Sequence, residues 1–271
     1  MDTVYVYGSN ISSVQIRLQS DLDIALRWVS SNGMVANPDK FQAIFLGIKE
    51  NSVIVHAGSK NISNSKTVKL LGVTIDDQLT FYPHALEICK KASNKIKALL
   101  RIRCYLNQKQ ANLLYTAYIM SPFNYCPLVW MFCSKKAHNL IKATHVKALC
   151  ANLNTFALSY DGLLQSSNSI KIHTKNLQLM VIEVFKCLNK LNPEIMWNFF
   201  TLKDNSYKLR QGSTVIVPRA YTTKTLNSFK FRAAIAWNHL PARLKESKTL
   251  SEFKALIKNQ TIFCKCKNCY F

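Results

Sequence analysis

The sequence predicts an α+β protein with a small β-rich region at its start and helices through the remainder. Short β-branched or aromatic runs, bounded by turn residues, cluster before residue 80. From Pro83 onward, apolar residues recur at helical spacing in several long segments. Hydrophobic residues make up 48% of the chain, with only seven Gly and seven Pro, which fits a packed, helix-rich protein rather than a disordered one. A chain of 271 residues is long enough to bury a sizeable core and to form two lobes. The pattern divides it into 1–80, 81–155 and 156–271.

Tyr5 to Tyr7 reads as a short strand. Ser12-Ser13 then offers an N-cap, and Val14, Leu18, Leu22, Leu26 and Val29 repeat at helical spacing until Asn32-Gly33. Phe41 to Gly47, Ser52 to His56 and Val68 to Ile75 read as strands, giving β-α-β-β-β up to residue 80. Ala85 to Cys104 is a helix with Ile88, Ala92, Ile96, Leu99 and Leu100 on one face and most of its cations on the other. Gln108 to Met120 forms a second helix, closed by Ser121-Pro122, and Ala137 to Leu153 a third. Leu177 to Leu191 is amphipathic and stops at Asn192-Pro193, residues 204–230 are polar and β-biased, and Ser251 to Lys258 is the last helix.

Charge narrows the class of partner. There are 36 Lys and Arg against 14 Asp and Glu, a net charge of +22. No carboxylate occurs between Glu87 and Asp161, a stretch that holds eleven cations, from Lys90 to Lys147. A surface of one sign attracts a polyanion and gains from counterion release. The cations are spread over several helices rather than one amphipathic stripe, which favours nucleic acid over a membrane surface. No apolar run approaches the length of a membrane span, and no signal-peptide pattern opens the chain. Nine cysteines without a secretory signal point to reduced thiols and an intracellular location, nuclear or cytoplasmic.

The order of several segments resembles the second half of a reverse transcriptase of the non-LTR retrotransposon (LINE, jockey-like) kind. They are Asp2-Thr3-Val4-Tyr5, Asn37-Pro38-Asp39-Lys40-Phe41, Leu70-Leu71-Gly72-Val73-Thr74-Ile75-Asp76, Leu99 to Arg103, Phe123 to Pro127, and a tail with Phe231-Arg232, Trp237-Asn238 and Leu240-Pro241. The resemblance implies the end of a palm sheet with its helix, then a helical thumb and a C-terminal extension. Met1 stands where the family has the first Asp of its aromatic-Ala-Asp-Asp hairpin, and Asp2 matches the second. Asp2 is then a remnant of a catalytic pair whose complete form holds Mg²⁺ with an upstream Asp. One carboxylate cannot hold Mg²⁺ alone, so polymerase activity by this chain and a bound Mg²⁺ are not expected.

Asp76-Asp77 is a second acidic pair, yet Val73-Thr74-Ile75 replaces the aromatic-Ala that a catalytic hairpin needs, and Asp favours turns for its own hydrogen bonding. By resemblance, Lys40 lies near the triphosphate of the incoming nucleotide, and Gly72 permits close backbone approach to a primer end. Lys90, Lys91, Lys95, Lys97, Arg101 and Arg103 fall near the exposed side of one helix, where they suit phosphate contact with RNA, DNA or an RNA–DNA hybrid without base reading. Cys264, Cys266 and Cys269, bracketed by Lys, could bind Zn²⁺. A tetrahedral site needs a fourth ligand, and no Cys or His follows; His239 or another distant His would have to be supplied by the fold.

The expected function is a truncated reverse-transcriptase fragment that retains non-specific nucleic-acid affinity. A basic helical protein that binds an acidic protein partner is the different class. An active enzyme whose start lies upstream of Met1 is the third possibility.

Overall fold

The computed structural model describes residues 6–8, 10–47, 54–58, 60–203, 213–264 and 266. The fold is α+β: 57% of the chain is helical, and the described residues include two small two-stranded antiparallel sheets and twelve α-helices. The chain forms two compact units, Met1–Pro83 and His84–Phe271. No helix among the described residues is long and apolar enough to cross a membrane.

In the first unit, α1 (Ile11–Ser31) starts where the Asn10 side chain accepts from the Ser12 N–H at 2.9 Å. It ends at Gly33, whose φ of +68° needs a residue without Cβ strain. β1 (Ile54–Ala57) pairs with β2 (Lys60–Ser63), Ile54 opposite Ser63. α1 lies against β1, and Gln19 ties them: its Nε2 donates to the His56 carbonyl, and its Oε1 accepts from the His56 N–H. Beneath sit Phe45 and Val55, packed by Val14, Leu18, Leu22 and Ala43. That core is thin, and no residue of α1 is fully buried.

Three strand expectations change here. Val68 to Ile75 is not one strand but a hairpin, β3 (Thr67–Leu70) against β4 (Val73–Asp76). Leu71 and Gly72 both take positive φ (45° and 84°), the backbone that a two-residue hairpin turn requires. Phe41 to Gly47 shrinks to one bridge, Ala43 to Asn64, because the Asn64 side chain takes the Phe45 N–H that a strand partner would have taken. Val6-Tyr7 is irregular rather than a strand, and Tyr5 lies outside the described residues.

Asp76 closes the first unit. Its buried carboxylate accepts from the Thr80 N–H and hydroxyl (both 2.9 Å) and from the Phe81 N–H (2.7 Å). These bonds hold Leu79 and Phe81 at positive φ, an unfavourable conformation for both. The role is a turn organiser, as the residue type suggested. Asp76→Ala should destabilise this unit by about 2 kcal/mol, since it strands donors that a charged acceptor had satisfied. Faster hydrogen exchange at Thr80 and Phe81 is the measurement, and unchanged exchange would count against this role.

The second unit is helical. Its elements run α2 (Tyr82–Ile102, entering from the first unit), α3 (Gln108–Leu114), α4 (Ser121–Asn124), α5 (Pro127–Trp130), α6 (Lys135–Leu153), α7 (Tyr160–Ser166) and α8 (Ile172–Leu188). After these come α9 (Thr223–Leu226), α10 (Phe229–Asn238), α11 (Ala242–Lys245) and α12 (Leu250–Ile257). Side-chain caps start most of them, including an Asn107–Gln110 capping box on α3 and Ser134, Ser159, Ser228 and Thr249 on later helices. The helix expected over 108–120 turns into a π-helix at Tyr115–Ile119.

α6 packs on α3, on this π-helical segment and on α7, so the chain continues as one unit past residue 155. α8 is the centre of the larger core, covered by α5, α10 and α12. Met180, Val181, Val184 and Phe185 of α8 face Ala233, Ala236 and Trp237 of α10 and Phe253 and Ile257 of α12, all buried together.

Candidate nucleic-acid interface and thiol–imidazole cluster

The buried face of α2 (Ala85, Ile88, Ala92, Ile96 and Leu99) fixes which residues meet solvent. Lys90, Asn94, Lys97 and Arg101 are exposed and follow the i, i+4, i+7, i+11 spacing that places them in one row. The row extends about 16 Å along the axis. Lys91 is also exposed, lies off the row, and pairs with Glu87 at 2.8 Å.

Two of the six predicted cations are committed inside the protein. Lys95 Nζ donates to the Tyr118 carbonyl (2.9 Å) and the Ser121 hydroxyl (2.8 Å), and sits 4.5 Å over the Tyr118 ring. It thereby ties α2 to the end of the π-helical segment. Arg103 donates to the Asn152 and Leu106 carbonyls and to Gln108 Oε1, which locks the turn between α2 and α3 onto the end of α6. Helical spacing located both near the polar side but could not show these acceptors, which come from residues 3 to 49 positions away.

Lys40 and Gly72 lie in the first unit. Lys40 is exposed at the end of a 3₁₀ turn (Pro38–Lys40), and Gly72 completes the β3–β4 turn. Asp2 lies outside the described residues. Among the described residues no group of three carboxylates converges.

A second constellation forms where the chain after α12 returns to α8. His173, in the first turn of α8, meets Cys264 and Cys266, and the three ligand atoms all lie within 4.8 Å of one another. His173 Nε2 is 3.2 Å from Cys266 Sγ. The returning segment is anchored independently of any metal. Ile262 is buried in the larger core, and Phe263 stacks on His239 with ring centroids 4.0 Å apart. Cys264 packs against the same core, and Cys266 is 2% exposed. Gln178 of α8 donates to the Lys258 carbonyl at 3.0 Å, fixing the end of α12.

Beside this cluster opens a cavity of about 460 Å³, lined by Trp130, Cys133, His138, Tyr160, His173 and Cys264 among others. The His138 ring meets the His173 ring edge-on at 5.7 Å. Burial, then the neighbouring His173, holds the His138 imidazole below its ordinary range. Burial also raises the Cys133 thiol to about 12. Sequence reasoning named Cys264 and Cys266 but missed His173, because nothing local distinguishes it from the other five His. Its partners lie more than 90 residues away. Cys269 lies outside the described residues, and His239, weighed as a distant ligand, is instead the stacking partner of Phe263.

Compared with known proteins, the chain matches no protein-family model, no curated protein and no solved structure.

Proposed function

We propose that this chain is an intracellular, reverse-transcriptase-derived protein that binds nucleic acid through phosphate contacts, without reading bases and without polymerising by itself. The observation that carries the proposal is the exposed Lys90–Asn94–Lys97–Arg101 row, set in a stretch of sequence free of carboxylates from Ile88 to Tyr160. A rigid row of cations suits a phosphate backbone, and a helix held by its opposite face needs no reordering to present it. The segment resemblance to the thumb of non-LTR reverse transcriptases favours an RNA–DNA hybrid as ligand, recognised by its A-like shape. The second acidic candidate, Asp76, is committed to its turn by bonds from Thr80 and Phe81.

The test is fluorescence anisotropy of the full chain with a labelled RNA–DNA hybrid across a salt series. Binding should fall about a thousandfold or more between 50 and 200 mM salt if six or more phosphates are neutralised. Replacing Lys90, Lys97 and Arg101 together by Gln should flatten the log–log salt slope by about 2 to 3, close to one phosphate for each cation. An unchanged slope in the triple variant would remove α2 from the interface. Binding to polyglutamate with none to the hybrid at low salt would replace this reading with an acidic protein partner.

A further inference from the structure

We propose that His173 Nε2, Cys264 Sγ and Cys266 Sγ bind one Zn²⁺, which clasps the segment following α12 onto the first turn of α8. The donor set, one imidazole and two thiols, has the softness that Zn²⁺ prefers and supplies three of the four ligands of a tetrahedral site, the fourth being left to water. Ligand atoms of a tetrahedral zinc at ordinary bond lengths stand about 3.5–3.8 Å apart. The three donors already lie within 4.8 Å of one another, so small side-chain movements complete the geometry. The approach is pre-organised by packing rather than by the donors themselves. Ile262 and the Phe263–His239 stack carry Cys264 and Cys266 to α8, and the helix fixes His173.

Binding requires both thiols to ionise and the imidazole to be neutral; the two protons pass to solvent as two S–Zn bonds form, with no change of oxidation state. Hard cations such as Mg²⁺ and Ca²⁺ prefer oxygen donors and are excluded by this chemistry. The inference is independent of nucleic-acid binding, since it uses none of the residues of the α2 row.

The experiment uses the full chain, purified under reducing conditions, with metal content measured by elemental analysis and the site probed by Co²⁺ substitution. The expected result is one Zn²⁺ per chain, and a Co²⁺ form with the intense visible bands of tetrahedral, thiolate-rich coordination. His173→Ala should weaken Zn²⁺ binding by about a hundredfold or more, and His173→Cys, which restores a soft ligand at the same place, should recover most of it. Cys104→Ser, at an exposed thiol outside the cluster, should leave binding unchanged. Chelation should lower the melting temperature of the wild-type chain and leave that of His173→Ala unaltered, a comparison that needs only that both be folded by circular dichroism. Absence of zinc from the folded wild-type chain after addition of ZnCl₂ would overturn the proposal. So would Zn²⁺ affinity that His173→Ala does not change, because the thiols would then bind metal without α8.

Discussion

Phe253→Ala should cost the second unit about 3–5 kcal/mol, the range for truncating a fully buried aromatic side chain. Phe253 on α12 is completely buried, with its ring centroid 4.5 Å from that of Phe185 on α8 and 5.9 Å from that of Trp237 on α10. One side chain thus fills the junction of α12 with α10 and with the sequence-distant α8. Removing it withdraws the transfer free energy of the ring and leaves a void that these well-anchored neighbours cannot collapse to fill. Domains of this kind are stable by only about 5–15 kcal/mol, so the loss is a large share of the total. Urea unfolding followed by tryptophan fluorescence would measure it, with Trp237 in the affected core. Leu113→Ala, on an exposed side chain, should change stability by less than about 0.5 kcal/mol. A Phe253→Ala cost below about 1 kcal/mol would mean that α12 does not pack as described.

Acid should destabilise the same unit through His145, by about 3 kcal/mol between neutral pH and pH 4. His145 is wholly buried between two phenols, with Nε2 2.8 Å from the Tyr115 hydroxyl and Nδ1 2.9 Å from the Tyr160 hydroxyl. A neutral imidazole satisfies this arrangement, since one ring nitrogen donates and the other accepts. Burial, assisted by the charge of Lys175, lowers its pKa from 6.5 to about 4. The unfolded chain therefore takes up this proton at a higher pH than the folded one. The contribution is intact above about pH 6.5 and is lost as pH falls towards 4. At the alkaline end, burial raises Tyr115 from 10.0 to about 12 and raises Tyr160 as well. Their contribution is complete below about pH 10 and declines as pH rises through the folded values. Unfolding free energies at pH 7 and 4.5, compared between the wild type and His145→Gln, would isolate the effect. Equal acid sensitivity in both would place the titration elsewhere.

Much of the helical architecture is legible in the sequence, and the reasons are specific. α2, α8 and α12 carry one apolar face each, and that face is what packing uses. α10 left only a motif, Phe231-Arg232 to Trp237-Asn238, because a core helix covered on several sides has no polar face to mark its period. The β3–β4 hairpin reads as a single strand because its turn is Leu71-Gly72, and Leu is not a residue that announces positive φ. The candidate sites divide in the same way. Periodicity places Lys90, Lys97 and Arg101 on the surface, but only tertiary structure separates them from Lys95 and Arg103. Cys-x-Cys is visible locally, whereas His173 is joined to it by the folding of α8 against the chain end.

That same dependence of α8 on α10 and α12 has a consequence for biosynthesis. The apolar side of α8 is finished at Leu188, while its last cover ends at Ile257, 69 residues later. At about 5–20 residues per second, a ribosome leaves Met180, Val184 and Phe185 without their partners for roughly 3–14 s. The nascent chain must carry an open hydrophobic groove through that interval. Holdase chaperones, translation speed over 189–257 and premature termination within it should therefore govern the yield of this protein more strongly than events before residue 172.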